Sequence, residues 1–169
     1  MANGVADNLA EFLREPDLSL PPPLAVETLQ RQVSGWLSQN DGATFNLYFG
    51  NMAGQRLYAV SLYPERSVVL PGHTIPENLL RRFVGDNLDL LADPRNSIGI
   101  WYGEAIDAVY LDVSAALPDR SEAVSLGEWY NQEAIYDLAR DEIIDTGGSG
   151  ERREGWDEET QRLPPLIRG

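Results

Sequence analysis

The sequence of 169 residues contains no cysteine and no lysine, and its single histidine is His73. The absence of cysteine excludes disulfides, thiol catalysis and thiolate zinc sites. A metal site built from several histidines is impossible, and a Ser-His-Asp triad could use only His73. No apolar run is long enough to span a bilayer. Since the acidic N-terminus lacks the basic region of a secretory signal, we expect a cytoplasmic protein within a host cell.

All 13 basic residues are arginine. A GC-rich coding sequence would produce this bias. Selection for salt tolerance, or for the bidentate pairing of arginine with carboxylates, would produce it too. The sequence leaves these explanations open.

Negative charge dominates the composition, with 27 acids against 13 bases and a net charge of -14. The excess is concentrated between Asp86 and Asp145, where 14 acids and three arginines give a net charge of -11. Such a field repels nucleic acids and anionic membranes and attracts basic proteins. We therefore expect a protein partner with a basic surface, no direct nucleic-acid contact and no membrane contact. Self-association into a homo-oligomer stays open.

Apolar spacing of three and four residues predicts a short helix on each side of the proline-rich stretch Pro21–Pro23. From residue 43 onwards the spacing changes to two, which is typical of strands. We predict an α+β fold with a mainly antiparallel sheet of five to six strands and helices on one face, preceded by two short N-terminal helices. The predicted segments are a helical arm (1–40), an α+β core (41–146) and an acidic tail (147–169) that is flexible or docked on a partner.

The predicted hairpins join residues 43–49 to 57–63 and residues 98–102 to 109–115, and residues 134–138 and 142–144 could pair as a last hairpin. Capping boxes at Thr74–Glu77 and Asp119–Glu122 predict two helix starts. The glycine-rich stretch Gly147–Gly150 is predicted to act as a flexible hinge. It lacks the Lys-Ser/Thr of a phosphate-binding loop.

Asp112 is the most unusual carboxylate, because it lies in the middle of a predicted strand on the face shared with Tyr110 and Ser114. It could serve as an acid/base or metal group. We expect it instead to be a solvent-facing residue on the open side of the sheet, or the partner of an arginine.

Other acids cluster near the end of the predicted core, but they do not follow the spacing of a calcium loop, so we expect no metal and no cofactor. Trp156 lies in a charged stretch without a predicted core, where an aromatic side chain could anchor the tail on the domain, a second subunit or a partner. The candidate binding residues are Glu104, Asp107, Asp112, Asp137, Asp141, Glu142, Asp145 and Trp156.

Several phrases between Leu57 and Ile144 resemble a family of small uncharacterised accessory proteins of phages, prophages and mobile elements in GC-rich bacteria. They are YAVSLYPERS from Tyr58, NLDLL from Asn87, IGIWY from Ile98, YLDVS from Tyr110 and YNQEAIYDL from Tyr130. The resemblance covers about half of the chain. It implies a mobile-element setting and an accessory role, and it transfers no catalytic residues.

These observations favour a non-enzymatic acidic binding protein of a phage or mobile element. Its negative surface would imitate a phosphate backbone and inhibit a host nucleic-acid-handling or defence protein. The alternative is a virion structural or assembly protein held by its N- and C-terminal arms. A third hypothesis, an enzyme that uses Asp112, is the one we expect least.

Overall fold

The computed structural model describes residues 4–151, together with Leu163 and Leu166. The helices are α1 (Leu9–Arg14), α2 (Val26–Leu37), α3 (Glu77–Asp86), α4 (Leu88–Leu91) and α5 (Arg120–Trp129). The strands are β1 (Gly42–Asn46), β2 (Gly50–Asn51), β3 (Tyr58–Ser61), β4 (Val68–Pro71), β5 (Asn96–Gly103), β6 (Ala108–Leu117), β7 (Ala134–Asp137) and β8 (Glu142–Asp145). Short 3-10 turns lie at Pro64–Arg66 and Glu104–Ile106. The predicted α+β class is confirmed.

One curled antiparallel sheet contains all eight strands, in the order β2-β1-β5-β6-β3-β7-β8, and β4 also pairs with β6. This number exceeds the predicted five to six. Several strands are short, since β2 has two residues and β3, β4, β7 and β8 have four each. Strands of two to four residues carry little periodic signal, so the number of strands predicted from the sequence was too low.

Two of the three predicted hairpins form, and one of them joins β7 to β8. Strands β5 and β6 pair along their length, as expected. The predicted pairing of residues 43–49 with 57–63 is wrong, because β1 pairs with β2 and β5 whereas β3 pairs with β6 and β7. Alternation along a strand shows which side chains share a face, but it does not identify the neighbouring strand.

The ten residues of β6 alternate between the two faces of the sheet. Val113, Ala115 and Leu117 belong to the principal hydrophobic core. Helices α2 to α5 cover that core through Leu29, Val33, Leu37, Leu80, Phe83, Leu90, Leu91 and Ala123. Asp112, Ser114 and Ala116 therefore point to the opposite face.

Helix α1 packs on this opposite face, whereas α2 lies with α3, α4 and α5 over the principal core, so the predicted arrangement of the two N-terminal helices is not confirmed. Leu9 and Phe12 of α1 join a second buried cluster that contains Ala116 of β6. The segment between α1 and α2 is extended, and the Leu24 N–H donates to the Leu47 carbonyl at 2.7 Å. An extended connection lets α1 reach the far side of the sheet, and the apolar stripe of a helix does not identify the face that it covers.

Side chains cap two helices. The Asn8 carboxamide oxygen accepts from the Glu11 N–H at 2.8 Å, and the Asp119 carboxylate accepts from the Glu122 N–H at 2.8 Å. The capping box predicted at Thr74 does not form, because Pro76 is the N-cap residue of α3 and no side chain caps that helix.

The stretch predicted as a glycine hinge is hydrogen bonded to the loop after α5. The Gly148 N–H donates to the Gln132 carbonyl at 3.0 Å, and the Gly150 N–H donates to the Asn131 carbonyl at 2.8 Å. A Cβ atom on Gly148 would overlap the Asn131 backbone, so glycine permits this close approach. Leu163 packs against the principal core and Leu166 against the second cluster. The three-part division of the chain stays a prediction.

We expect Phe12→Ala to lower the free energy of unfolding by about 3 kcal/mol, because it removes a buried aromatic side chain between α1 and the sheet. Urea denaturation followed by circular dichroism measures the change. Arg14→Ala, on the exposed side of the same helix, is the control and should cost less than about 0.5 kcal/mol. If Phe12→Ala lowers the free energy of unfolding no more than Arg14→Ala does, the packing of α1 on the sheet does not contribute to the measured stability.

Candidate functional site

On the sheet face opposite the principal core, the part that α1 does not cover forms a trough of about 630 Å³. We call it the Asp112 trough. Because the sheet curls, residues of β1 and residues of the β7–β8 hairpin line the same concave surface. The floor consists of Thr44, Ser61, Gly99, Asp112 and Ser114, and the rim consists of Trp36, Asp41, Trp101, Tyr136, Asp141 and Ile143.

Two rows of cross-strand neighbours form the floor. Gly99 lies between Thr44 and Asp112, and Ser61 lies opposite Ser114. All of these side chains except Asp112 are small, which leaves the centre of the sheet face deep. The floor therefore has hydroxyl groups around one carboxyl group.

On the side of β6 away from β5, strands β3 and β4 pair in succession, and the pairing is interrupted beside Asp112. Ser61 lies opposite Ser114 and Val68 lies opposite Leu111, so residues 62–67 face only positions 112 and 113 of β6. The extra residues leave the sheet through the 3-10 turn at Pro64–Arg66. Asp112 and Val113 therefore have no paired strand residue on this side of β6.

Asp112 occupies space that only a glycine at position 99 leaves free. A Cβ atom on Gly99 would overlap the Oδ1 atom of Asp112 and would lie 3.0 Å from the Oγ atom of Ser114. The Ser114 hydroxyl donates to Asp112 Oδ1 at 3.0 Å. The carboxyl group therefore lies against the backbone of β5, on the floor of the trough.

No cation compensates Asp112 among the described residues. None of their ion pairs, which include those of Glu15, Glu27, Asp41, Glu77, Asp89 and Asp93, uses Asp112. Burial raises the pKa of Asp112 above its ordinary value, and the hydrogen bond from Ser114 opposes this shift only in part. The group can therefore act as a neutral acid that donates a hydrogen bond, or as a carboxylate that pairs with a cation from outside.

The predicted acids of the β7–β8 hairpin have different roles. Asp137 is buried, and its Oδ1 atom accepts from the N–H groups of Ala139 and Arg140 at 3.1 Å each, so it stabilises the turn. Asp145 accepts from the Gly147 N–H at 2.7 Å. Asp141, in the left-handed region with φ 56°, is exposed on the rim of the trough, and Glu142 is exposed beside it. Asp141 is thus the hairpin acid that shares a cavity with Asp112.

Glu104 and Asp107 lie in the β5–β6 loop, at the other end of the sheet from the β7–β8 turn. Asp107 accepts from the Tyr102 hydroxyl at 2.6 Å, and this hydrogen bond is the main cause of the raised pKa of Tyr102. The Tyr102 ring contacts His73 edge-on, with centroids 4.1 Å apart, and His73 Nε2 lies 3.8 Å from Asp41 Oδ1. The structure therefore does not bring Glu104 and Asp107 together with the hairpin acids.

Trp156 lies outside the described residues.

Sequence reasoning did not identify Trp36, Trp101, Ser61 or Gly99 as site residues, although all four line the trough. Gly99 carried a usable signal, because a glycine inside a strand often marks a close approach of another group. The tryptophans carried none, since their pattern does not distinguish a rim from a core.

Comparisons with protein-family models, with curated proteins and with solved structures give no match to this chain. Among residues 4–151, no helix combines the length and the apolar character that a membrane crossing requires. Within the same described part, no group of three His, Asp or Glu residues is placed to hold a metal ion. The case for a function therefore depends on the geometry of the trough and on the distribution of charge.

We expect Asp112→Asn to become more stabilising, relative to the native protein, as the pH rises. Below the ordinary pKa of 3.8 the carboxyl group is protonated in both folded and unfolded chains and no penalty exists. Between 3.8 and the raised pKa the folded chain holds the proton more tightly, so the stability of the native protein falls with pH. A tenfold difference in proton affinity between the folded and unfolded chains corresponds to about 1.4 kcal/mol.

Urea denaturation of both proteins between pH 4 and pH 8 measures this difference. Asp86→Asn, at an exposed position on α3, controls for the loss of one negative charge. A difference for Asp112→Asn that does not change with pH would contradict the raised pKa.

Gly99→Ala should destabilise the protein by about 1–2 kcal/mol, because the new methyl group forces Asp112 away from Ser114. The same substitution should cost clearly less in an Asp112→Ala background, where the overlap with Asp112 is absent and only the contact with Ser114 Oγ at 3.0 Å remains. A double-mutant cycle by urea denaturation measures this coupling. Additive effects would mean that Asp112 does not lie against Gly99.

Proposed function

We propose that the protein is a non-enzymatic acidic binding protein that holds a basic surface of a protein partner against the trough side of its sheet. In the finer form of the proposal it belongs to a phage or mobile element. There it inhibits a host protein that handles nucleic acids or serves in defence, by occupying the surface that would bind phosphates.

The supporting observation is a set of acids in the second half of the chain without an arginine partner. Among the described residues, no arginine lies within ion-pair distance of Glu104, Asp107, Asp112, Asp141, Glu142 or Asp145. Arg66, Arg81 and Arg95 instead pair with acids of α2, α3, α4 and the segment before β5. The part of the chain that the structure describes therefore presents carboxylates that none of its own arginines neutralises.

Uncompensated charge has a defined consequence for association. A field of one sign increases the rate of encounter with an oppositely charged surface, and it does so less at high salt. It also disfavours partners of the same sign, which gives selectivity against nucleic acids. These properties fit a protein that competes with a phosphate backbone for a basic surface.

The alternative of a virion component held by its arms draws less support. Leu9 and Phe12 of α1 are buried within the chain itself, and Leu163 and Leu166 pack against the two hydrophobic clusters. These parts of the arms are engaged with their own domain. The enzyme hypothesis also draws little support, since the described lining of the trough includes no histidine to act beside Asp112.

We expect nona-arginine to bind with an affinity that falls at least about tenfold between 50 and 500 mM NaCl. The triple variant Asp141→Asn, Glu142→Gln, Asp145→Asn should lose most of this affinity, because it removes three exposed charges from the hairpin, including Asp141 on the rim of the trough. Isothermal titration calorimetry measures both effects.

A second triple variant, Glu65→Gln, Asp86→Asn, Glu122→Gln, removes the same number of exposed charges from the 3-10 turn, α3 and α5. It should retain more of the affinity than the hairpin variant. The proposal would be contradicted if the two variants lost equal affinity for nona-arginine, or if binding did not change with salt.

A further inference from the structure

We propose that the Asp112 trough accepts one arginine side chain of the basic partner, with its guanidinium group paired to Asp112 on the floor. This inference depends on the proposed function and identifies the chemical group that the site recognises.

The first argument is the unused capacity of the carboxyl group. A carboxylate offers about four acceptor positions on its two oxygens. Among the described residues, Asp112 receives one hydrogen bond, from Ser114. Its burial raises the pKa because the charge is desolvated without a cation nearby. A donor from outside the chain would supply both the missing hydrogen bonds and the missing charge.

The second argument concerns the neighbours of Asp112, which favour a guanidinium over an ammonium group. Ser114 donates its hydroxyl to the carboxyl group, and Ser61 and Thr44 add hydroxyl groups to the same floor. A guanidinium has five N–H donors in a plane, so it can fork onto a carboxylate and still donate to hydroxyls. An ammonium group has three donors and is more strongly hydrated, which makes its transfer into a narrow floor less favourable.

The third argument is the position of an aromatic rim. The ring of Trp101 lies across Gly42, where an added Cβ would be 3.0 Å from its Cε3 atom. Nevertheless 52% of Trp101 is exposed, so one face of the ring remains free beside the trough. A guanidinium or its alkyl stem can stack on such a face.

The dimensions favour an arginine that belongs to a peptide segment. A cavity of about 630 Å³ lies within the usual range for ligand sites and exceeds the volume of one side chain. Asp41 and Asp141 are exposed on the rim, so residues that flank the arginine would meet further negative charge. A basic segment with one inserted arginine therefore matches both the floor and the rim.

The test uses the full chain and three blocked pentapeptides, with two glycines on each side of arginine, lysine or citrulline. Citrulline has nearly the shape of arginine but no charge. Calorimetry should show that the arginine peptide binds at least about tenfold more tightly than the other two. Amide chemical-shift changes in heteronuclear NMR spectra should centre on Gly99, Asp112 and Ser114.

Asp112→Asn should reduce the affinity for the arginine peptide at least about tenfold, whereas Asp86→Asn, which also removes one charge, should leave it unchanged. Circular dichroism confirms that each variant is folded. If Asp112→Asn does not fold, Ser61→Ala and Ser114→Ala provide the second measurement, and each should weaken binding of the arginine peptide. Equal binding of arginine and citrulline, an unaffected Asp112→Asn variant or shifts away from the trough would overturn the inference.

Failure of this inference differs from failure of the proposed function. If nona-arginine binding stays sensitive to salt and to the hairpin triple variant while Asp112→Asn has no effect, the acidic surface binds and the trough does not. If nona-arginine binding is also indifferent to salt and to the hairpin charges, both proposals fail.

Discussion

The pairing of β6 with its neighbours is the constraint on which the rest of the structure depends. This strand of ten residues pairs with β5 on one side and with both β3 and β4 on the other. Its alternation places Val113 and Ala115 in the principal core and Asp112 and Ser114 on the opposite face. A shift of one residue in register would bury the carboxyl group and expose the core, so packing and site depend on the same alignment.

The trough exists because this opposite face is only partly covered. Helix α1 packs over Ala116, whereas the floor around Asp112 consists of glycine, serine and threonine. Small side chains reduce the apolar area that the sheet can bury there, which lowers the contribution of this face to stability. Gly99 in particular has no side chain to pack on this face, and Asp112 occupies the space that a side chain would need.

The ion pairs of Arg66, Arg81 and Arg95 lie on the helical side and near the start of β5. Among the described residues, Asp112 on the trough floor and Asp141 on the rim have no arginine partner, and the same is true of exposed acids on the helical side such as Asp86 and Glu122. What distinguishes Asp112 is its place on the floor of a concave site, against Gly99 and Ser114. This carboxyl group connects the fold to the proposed binding of a basic partner.

The sequence by itself determined the α+β class, the position of most helices and strands, and the unusual character of Asp112. Each of these follows from spacing within a short window or from composition. Only the tertiary structure decided that β1 and β3 are not neighbours, that α1 crosses to the second face and that Gly99 and Trp101 share a cavity with Asp112. These features depend on which strands pair and on the curl of the sheet, and such long-range contacts leave no periodic trace in the local sequence.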